Sequence, residues 1–232
     1  MFEQFEITKR WPAVSPTAIQ LYSVPTPNGI KVAAMLEETG LEYDPHLVKF
    51  AADEQFTPEF LSLNPNNKIP AIIDPDGPGA KAMPLWESGA ILIYLAEKTG
   101  KFLPIDPVKR YETLQWLMWQ MGGVGPMFGQ LGFFHIGGGK DLSDKAAHTR
   151  YKDETRRLLG VLDARLKGRT FIMGDEYTIA DIAIWPWVRV LGGHYDAHDM
   201  LGLDDFPEVM HWFGTCLERP ASKIAVNVPK RD

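Results

Sequence analysis

Two of the places where this 232-residue chain puts a hydroxyl at the start of a helix read as anion-friendly termini. In the first, Glu87 and Ser88 precede Gly89 and the residues Ala90, Ile91, Leu92, Tyr94 and Leu95, whose helical spacing runs to Gly100. Exposed amide hydrogens and the positive end of a helix dipole make such a terminus a carboxylate or phosphate site. The same Ser88 could instead do no more than cap its own helix, and both readings stand at this point. In the second place, Thr26 is a fitting N-cap, and Pro27 suits the first position of a helix that carries Ile30, Val32, Ala33, Met35 and Leu36 and ends at Gly40. Cys216 is the one cysteine, which excludes an intrachain disulfide and a CxxC redox pair. Thiol chemistry here would use a sulfur that arrives with the substrate. Cys216 itself, late in a terminal helix, reads as a packed small hydrophobe.

The elements that must position these groups follow from turn chemistry. Pro70 opens an apolar β-branched strand, Ala71, Ile72 and Ile73, because proline cannot sit inside a central strand. The cluster from Asp74 to Gly79 reads as a tight turn, and a return strand spans about 82–86. Upstream, 19–23 and 43–49 read as strands, and Thr57 with Pro58 opens a short helix closed by Asn64-Pro65. The order strand, helix, strand, helix, strand, strand, helix predicts a thioredoxin-like α/β domain with a mixed four-stranded sheet.

Residues 1–18, with two prolines and no periodicity, are expected to form an extended arm, lying on the body or loosely ordered. The first domain then covers 19–100, a proline-punctuated linker 101–107, and an all-α domain 108–232. Within the last, 108–135 is helical with a bend or break at Gly122, Gly123, Gly125 and Pro126. A glycine-rich loop follows, and Ser143 is expected to cap a long helix with a stripe of Leu158, Leu162 and Leu166. Thr178 and Asp181 form a capping box for a buried helix, which makes them folding residues rather than a site. A last helix spans about 207–219, followed by a polar tail.

Composition narrows the function. A net charge of −6 argues against a nucleic-acid partner. No apolar run approaches the roughly 18–20 residues that span a bilayer, and the N-terminus lacks the apolar stretch of a signal peptide. With a single cysteine, the cytoplasm is the expected compartment.

Several motifs, in this order and spacing, resemble the cytosolic glutathione transferases, and among them the Nu class with its glutathione-dependent disulfide reductases. They are Pro25-Thr26-Pro27-Asn28-Gly29, Gln55-Phe56 with Pro58-Glu59-Phe60, Asn66-Asn67-Lys68-Ile69-Pro70-Ala71-Ile72, Glu87-Ser88-Gly89-Ala90-Ile91-Leu92, Gly122-Gly123 to Gln130, and Ile179-Ala180-Asp181-Ile182-Ala183 with Trp185-Pro186-Trp187. The resemblance implies a cis peptide before Pro70, a homodimer, and glutathione as co-substrate with no metal. It also implies site roles. Ser88 would take the γ-glutamyl carboxylate and Glu87 the ammonium; Ile69 would pair with the cysteinyl backbone; Lys68 and Gln55 would meet the glycyl carboxylate.

Thr26 and Asn28 occupy the turn where this family stabilises the thiolate, with Tyr22 and Ser23 as rivals. Arg150 matches a position that can hold the carboxylate of a second glutathione. Trp116, Met118, Trp119, Met121, Met127, Phe128, Phe133 and Phe134 are expected to be mostly core, with some of them facing the cleft. The implied activity is glutathione-dependent disulfide reduction without a protein cysteine nucleophile. The alternatives are glutathione transfer to electrophiles or hydroperoxides, and a glutathione-binding regulatory module with little catalysis.

Overall fold

The computed structural model describes residues 2–230. The chain divides into two compact units, one of residues up to Lys101 together with those from Pro220 onward, the other Phe102–Arg219.

The first unit is built on β1 (Ile19–Ser23), β2 (Tyr43–Leu47), β3 (Ala71–Gly77) and β4 (Lys81–Trp86), in sheet order β2-β1-β3-β4. β1 runs parallel to β2 and antiparallel to β3, and β3 runs antiparallel to β4, so the sheet is mixed as expected. The helices are α1 (Pro27–Thr39), α2 (Pro58–Leu63) and α3 (Ser88–Thr99). Thr26 caps α1 by accepting from the Gly29 N–H at 3.4 Å, and Thr57 caps α2 by accepting from Phe60. Gly40 and Gly100 close α1 and α3 with φ of 74° and 66°, values that favour glycine.

Three parts of this unit differ from the sequence reading. The Asp74–Gly77 stretch is still strand, with a register shift, and the turn itself falls on Pro78, Gly79 and Ala80. The Asp74 carboxylate explains this. It accepts from the Tyr94 hydroxyl at 2.6 Å and meets Lys98 at 3.0 Å, which ties the strand to α3 beyond its pairing partner.

The N-terminal segment differs in its course and not in its place: it takes the expected position on the body, but in turns where an extended arm was expected. It lies on the body as two short 3-10 turns, with Phe2 and Ile7 buried in one cluster with Tyr22, Phe60 and Ile69. Trp11 donates to the Leu47 carbonyl at 3.1 Å and packs edge-on against Tyr22 and Phe60. The third is the polar tail, which contains α10 (Pro220–Ala225) packed on α1, with Ala221, Ser222 and Ala225 buried. Residues 220–230 thus group with the first unit, whereas the sequence reading set them in the second. A six-residue helix is too short to show a 3.6-residue period.

The second unit comprises α4 (Pro107–Trp119), α5 (Gly125–His135), α6 (Ala146–Leu166), α7 (Ile179–Gly192), α8 (His198–Leu201) and α9 (Pro207–Leu217). Where a bend or break was expected, a π-helical turn at Gln120–Val124 joins α4 to α5. The wider turn absorbs Pro126, which has no N–H to give the helix ladder. Ser143 does not cap α6. That helix starts three residues later, and Asp144 accepts from the Ala146 N–H at 2.8 Å. Leu158, Leu162 and Leu166 are buried as the stripe predicted, and Cys216 is buried in α9.

The capping box opens α7. Asp181 accepts from the Thr178 N–H and hydroxyl, the Ile172 N–H and the Trp212 indole, all within 3.2 Å. Among the described residues, no helix is long and apolar enough to cross a membrane.

Candidate functional site

Strand register builds the site. Ala71, the first residue of β3, lies opposite both Tyr22 of β1 and Trp86 of β4. With adjacent strands about 4.8 Å apart, three pieces of chain therefore meet at one end of the sheet. They are the turn from β1 into α1, the approach to β3 through Lys68, Ile69 and Pro70, and the junction of β4 with α3 at Glu87 and Ser88.

The middle piece carries a cis peptide between Ile69 and Pro70. Among the described residues, no hydrogen bond uses the Ile69 main chain, although Ile69 is buried. A donor and an acceptor thus stand ready for an extended peptide. The Lys68 carbonyl is held by the Asn64 side-chain amide at 2.6 Å, while the Lys68 side chain is exposed.

On one flank, Glu87 has φ 73° and ψ 111°, a region that L residues rarely adopt and that costs about 1–3 kcal/mol. It occupies the N-cap position of α3 but makes no side-chain cap bond, so the helix start has no side-chain cap. Ser88 is not a cap either. It is the first helical residue, buried, and its Oγ accepts from the Lys31 ammonium at 3.2 Å. Lys31 is fully buried, and burial lowers its pKa to about 7, opposed by the nearby Glu87 charge.

Sequence reasoning missed Lys31, although a signal was present. Residues 29–36 of α1 are all buried, and the apolar run on every side of Lys31 leaves it no polar face.

On the other flank, Thr26 and Asn28 are half-buried in and beside the first turn of α1. Thr26 receives the Gly29 N–H on its oxygen, which leaves its hydroxyl hydrogen to donate elsewhere. Gly29 is required here. A Cβ on it would stand 2.0 Å from the Val24 carbonyl oxygen and 2.5 Å from Ser23 Oγ.

The two rivals on β1 are both fully buried. Tyr22 stacks on His46 at 4.8 Å, and burial holds its phenol well above the usual range, so it stays protonated. Ser23 Oγ donates to the Val24 carbonyl at 3.3 Å.

Gln55 lies half-buried in the short turn Glu54–Phe56, and its Oε1 is buried with no partner among the described residues. Arg150 lies exposed in the first turns of α6, in the second unit, where its charge helps lower the Glu154 pKa behind the Glu154–Arg157 hydrogen bond. Of the aromatic and methionine cluster, Phe128 is core, Trp116 and Trp119 meet edge-on at 5.1 Å, and Met118 and Phe133 are exposed.

This arrangement suits a short anionic peptide: a helix start for its carboxylate, an open main-chain pair for its backbone, and a polar turn beside its side chain. Among the described residues, no group of three or more His, Cys, Asp or Glu is placed to hold a metal ion.

Known proteins resemble this chain over most of its length. A family model described as the glutathione S-transferase N-terminal domain matches residues 17–97, and one described as its C-terminal domain matches 126–220. The disulfide-bond oxidoreductase YghU of Escherichia coli is 46% identical over 214 residues, covering 88% of this chain and 73% of its own. The disulfide-bond oxidoreductase YfcG of the same organism is 45% identical over 209 residues, covering 90% and 94%.

Among solved structures, a glutathione transferase of Burkholderia graminis with two glutathione molecules bound per subunit is similar at TM-score 0.98 and 59% identity, covering 100% of this chain and 97% of that one. One from Pseudomonas putida, with one glutathione disulfide bound per subunit, is similar at TM-score 0.96 and 58% identity, covering 97% and 98%. The chain therefore belongs to the glutathione S-transferase family, beside its disulfide-bond oxidoreductases.

Proposed function

We propose that this chain is a glutathione-dependent disulfide-bond oxidoreductase, acting in the cytoplasm as a homodimer. The observation that carries this reading is the placement of the open Ile69 main chain between the start of α3 and the Thr26–Asn28 turn. Glutathione is a tripeptide with a carboxylate at each end and an ammonium near one of them. In this reading Ser88 takes the γ-glutamyl carboxylate, Glu87 the ammonium, Ile69 the cysteinyl backbone, and Lys68 with Gln55 the glycyl carboxylate.

Attack needs the thiolate, and a free cysteine-like thiol has a pKa of about 8.5. The Thr26 hydroxyl and the Asn28 amide lower it by donating to the sulfur, as hydrogen bonds to a charged form do. The glutathione thiolate attacks one sulfur of the substrate disulfide, and the other sulfur leaves as a thiolate that takes up a proton. A second glutathione thiolate then attacks the glutathione sulfur of the mixed disulfide, releasing the second substrate thiol and glutathione disulfide. Arg150 is assigned to the carboxylate of that second molecule. The relatives crystallised with two glutathione molecules, and with glutathione disulfide, support this sequence as its reduced and oxidised ends.

The test is steady-state reduction of hydroxyethyl disulfide by glutathione, beside conjugation of chlorodinitrobenzene. The expected result is faster turnover of the disulfide. Turnover of the electrophile alone would replace the reading by glutathione transfer, and glutathione binding without turnover of either would replace it by a regulatory module. Asn28→Ala should lower disulfide turnover about tenfold while changing the glutathione Kd less than threefold; equal losses would remove Asn28 from the sulfur. Light scattering should give twice the chain mass.

A further inference from the structure

Gln55 stands on a segment with little regular structure of its own. Between β2 and α2 the chain makes only two 3-10 turns, Phe50–Ala52 and Glu54–Phe56, joined at Asp53 with φ of 54°. Such turns hold themselves weakly, because their hydrogen-bond geometry is poorer than that of an α-helix. No hydrogen bond among the described residues holds the Gln55 side chain, and its Oε1 is buried without a partner there. The place of Gln55 is therefore set by whatever fixes the backbone beside it.

The neighbouring Glu54 does this. Its Oε2 accepts from the Lys49 N–H at 2.7 Å while the Glu54 N–H donates to the Lys49 carbonyl at 3.3 Å, so the side chain closes the turn on itself. Its Oε1 accepts from the Arg10 guanidinium at 2.8 Å, across 44 positions of sequence. The Glu54 side chain is only 12% exposed, so water screens this pair less than an ordinary surface bridge.

Arg10 is itself anchored. Its guanidinium lies 5.2 Å from the centre of the Trp11 ring, and Trp11 donates to the Leu47 carbonyl and packs on Phe60. Leu47 ends β2 and Phe60 lies in α2. The dipeptide Arg10-Trp11 thus meets the segment 47–60 at its start, its middle and its end.

We propose that Arg10 is a positioning residue of the glutathione site: it holds Glu54, and with it the turn that presents Gln55 to the glycyl carboxylate. This rests on the assignment of Gln55 to that carboxylate. The N-terminal arm is then part of the frame of the site, and its contribution falls on the glycyl end of the ligand. Ser88 and the Thr26–Asn28 turn, which serve the rest of the tripeptide, stand on α3 and α1.

Titration calorimetry with two ligands separates a local role from a general one. Glutathione and its glycyl ethyl ester share the γ-glutamyl group and the thiol, and differ in the carboxylate assigned to Gln55. The wild-type protein should bind glutathione about tenfold more tightly than the ester, the loss expected when a charged acceptor is removed. In Arg10→Ala, and separately in Glu54→Gln, that preference should fall about threefold, with the ester Kd within about twofold of its wild-type value. Glu54→Gln keeps the shape of the side chain and an acceptor for the Lys49 N–H, so it breaks the pair without emptying the turn. The double variant should lose no more preference than either single one, because both remove the same contact.

The two substitutions change charge in opposite directions. If Arg10 acted only through its field, Arg10→Ala would lower the preference for glutathione and Glu54→Gln would raise it. Opposite shifts, an unchanged preference in either variant, or a fall in Tm alone would overturn the inference and leave the glutathione reading in place. A wild-type protein that binds both ligands equally would overturn the Gln55 assignment and the inference with it. One that binds neither would overturn the glutathione reading as a whole.

Discussion

Two helix starts in this chain solve the same problem in opposite ways. At α7, Thr178 and Asp181 satisfy the first-turn amides from within, and Asp181 also takes the Ile172 amide and the Trp212 indole, so every donor aimed at that end is met by protein. At α3, the cap position falls to Glu87, which makes no cap bond and sits at positive φ, and a buried lysine stands behind the first residue. The closed end holds the second unit together. The open end accepts a strained residue and a desolvated cation, features that lower stability and suit an anionic ligand. Helix dipoles alone do not distinguish the two; internal satisfaction does.

Substitutions at the two ends put this contrast to the test. The largest effect is expected from Asp181→Ala, which leaves several buried donors without an acceptor. Stability should fall by about 3 kcal/mol or more and the Tm by roughly 6–12 °C in a melt. The glutathione Kd of the folded fraction should stay within about twofold, and a selective loss of binding would erase the distinction.

Ser88→Ala should do the reverse, weakening glutathione about tenfold by calorimetry, close to one hydrogen bond to a charged group, with the Tm moved by less than about 2 °C. An unchanged affinity would take Ser88 out of the site. Thr178→Ala should cost about 1 kcal/mol in a denaturant titration, the usual value of an N-cap, with no change in turnover. The smallest effect is expected from Glu87→Gly. Relief of its positive φ should raise stability by about 0.5–1 kcal/mol in the same titration while glutathione binding weakens a few-fold.

Much of the scaffold is legible in the order of residues alone. Pro58 after Thr57, Gly40 and Gly100 after apolar runs, and the Thr178–Asp181 box each act between residues a few positions apart, and the observed caps fall on them. Local signals mislead where a distant or neighbouring partner overrides them. Asp74 looks like a turn residue, yet Tyr94 and Lys98 hold it in strand, and Ser143 looks like a cap, yet the helix starts only at Ala146, whose N–H is taken by Asp144.

For the site, Ser88 is legible as a hydroxyl near a helix start, but not as a residue held from behind. Gln55 is legible by its motif, while the burial of its unpaired oxygen is not. Lys31 is marked in the sequence only by the apolar run around it, a signal easily passed over because a lone lysine is ordinarily a surface residue.

Elements and their ends thus follow from short-range chemistry: restricted φ at proline, freedom at glycine, side chains that cap their own helix, and apolar periodicity. The long-range arrangement belongs to the folded chain. Ala71 brings three chain ends together by pairing on both sides, α10 returns to cover α1, and Lys31 meets a serine 57 residues away. Burial and polarity at the site arise from strand register and helix packing, forces between residues that no local window contains together.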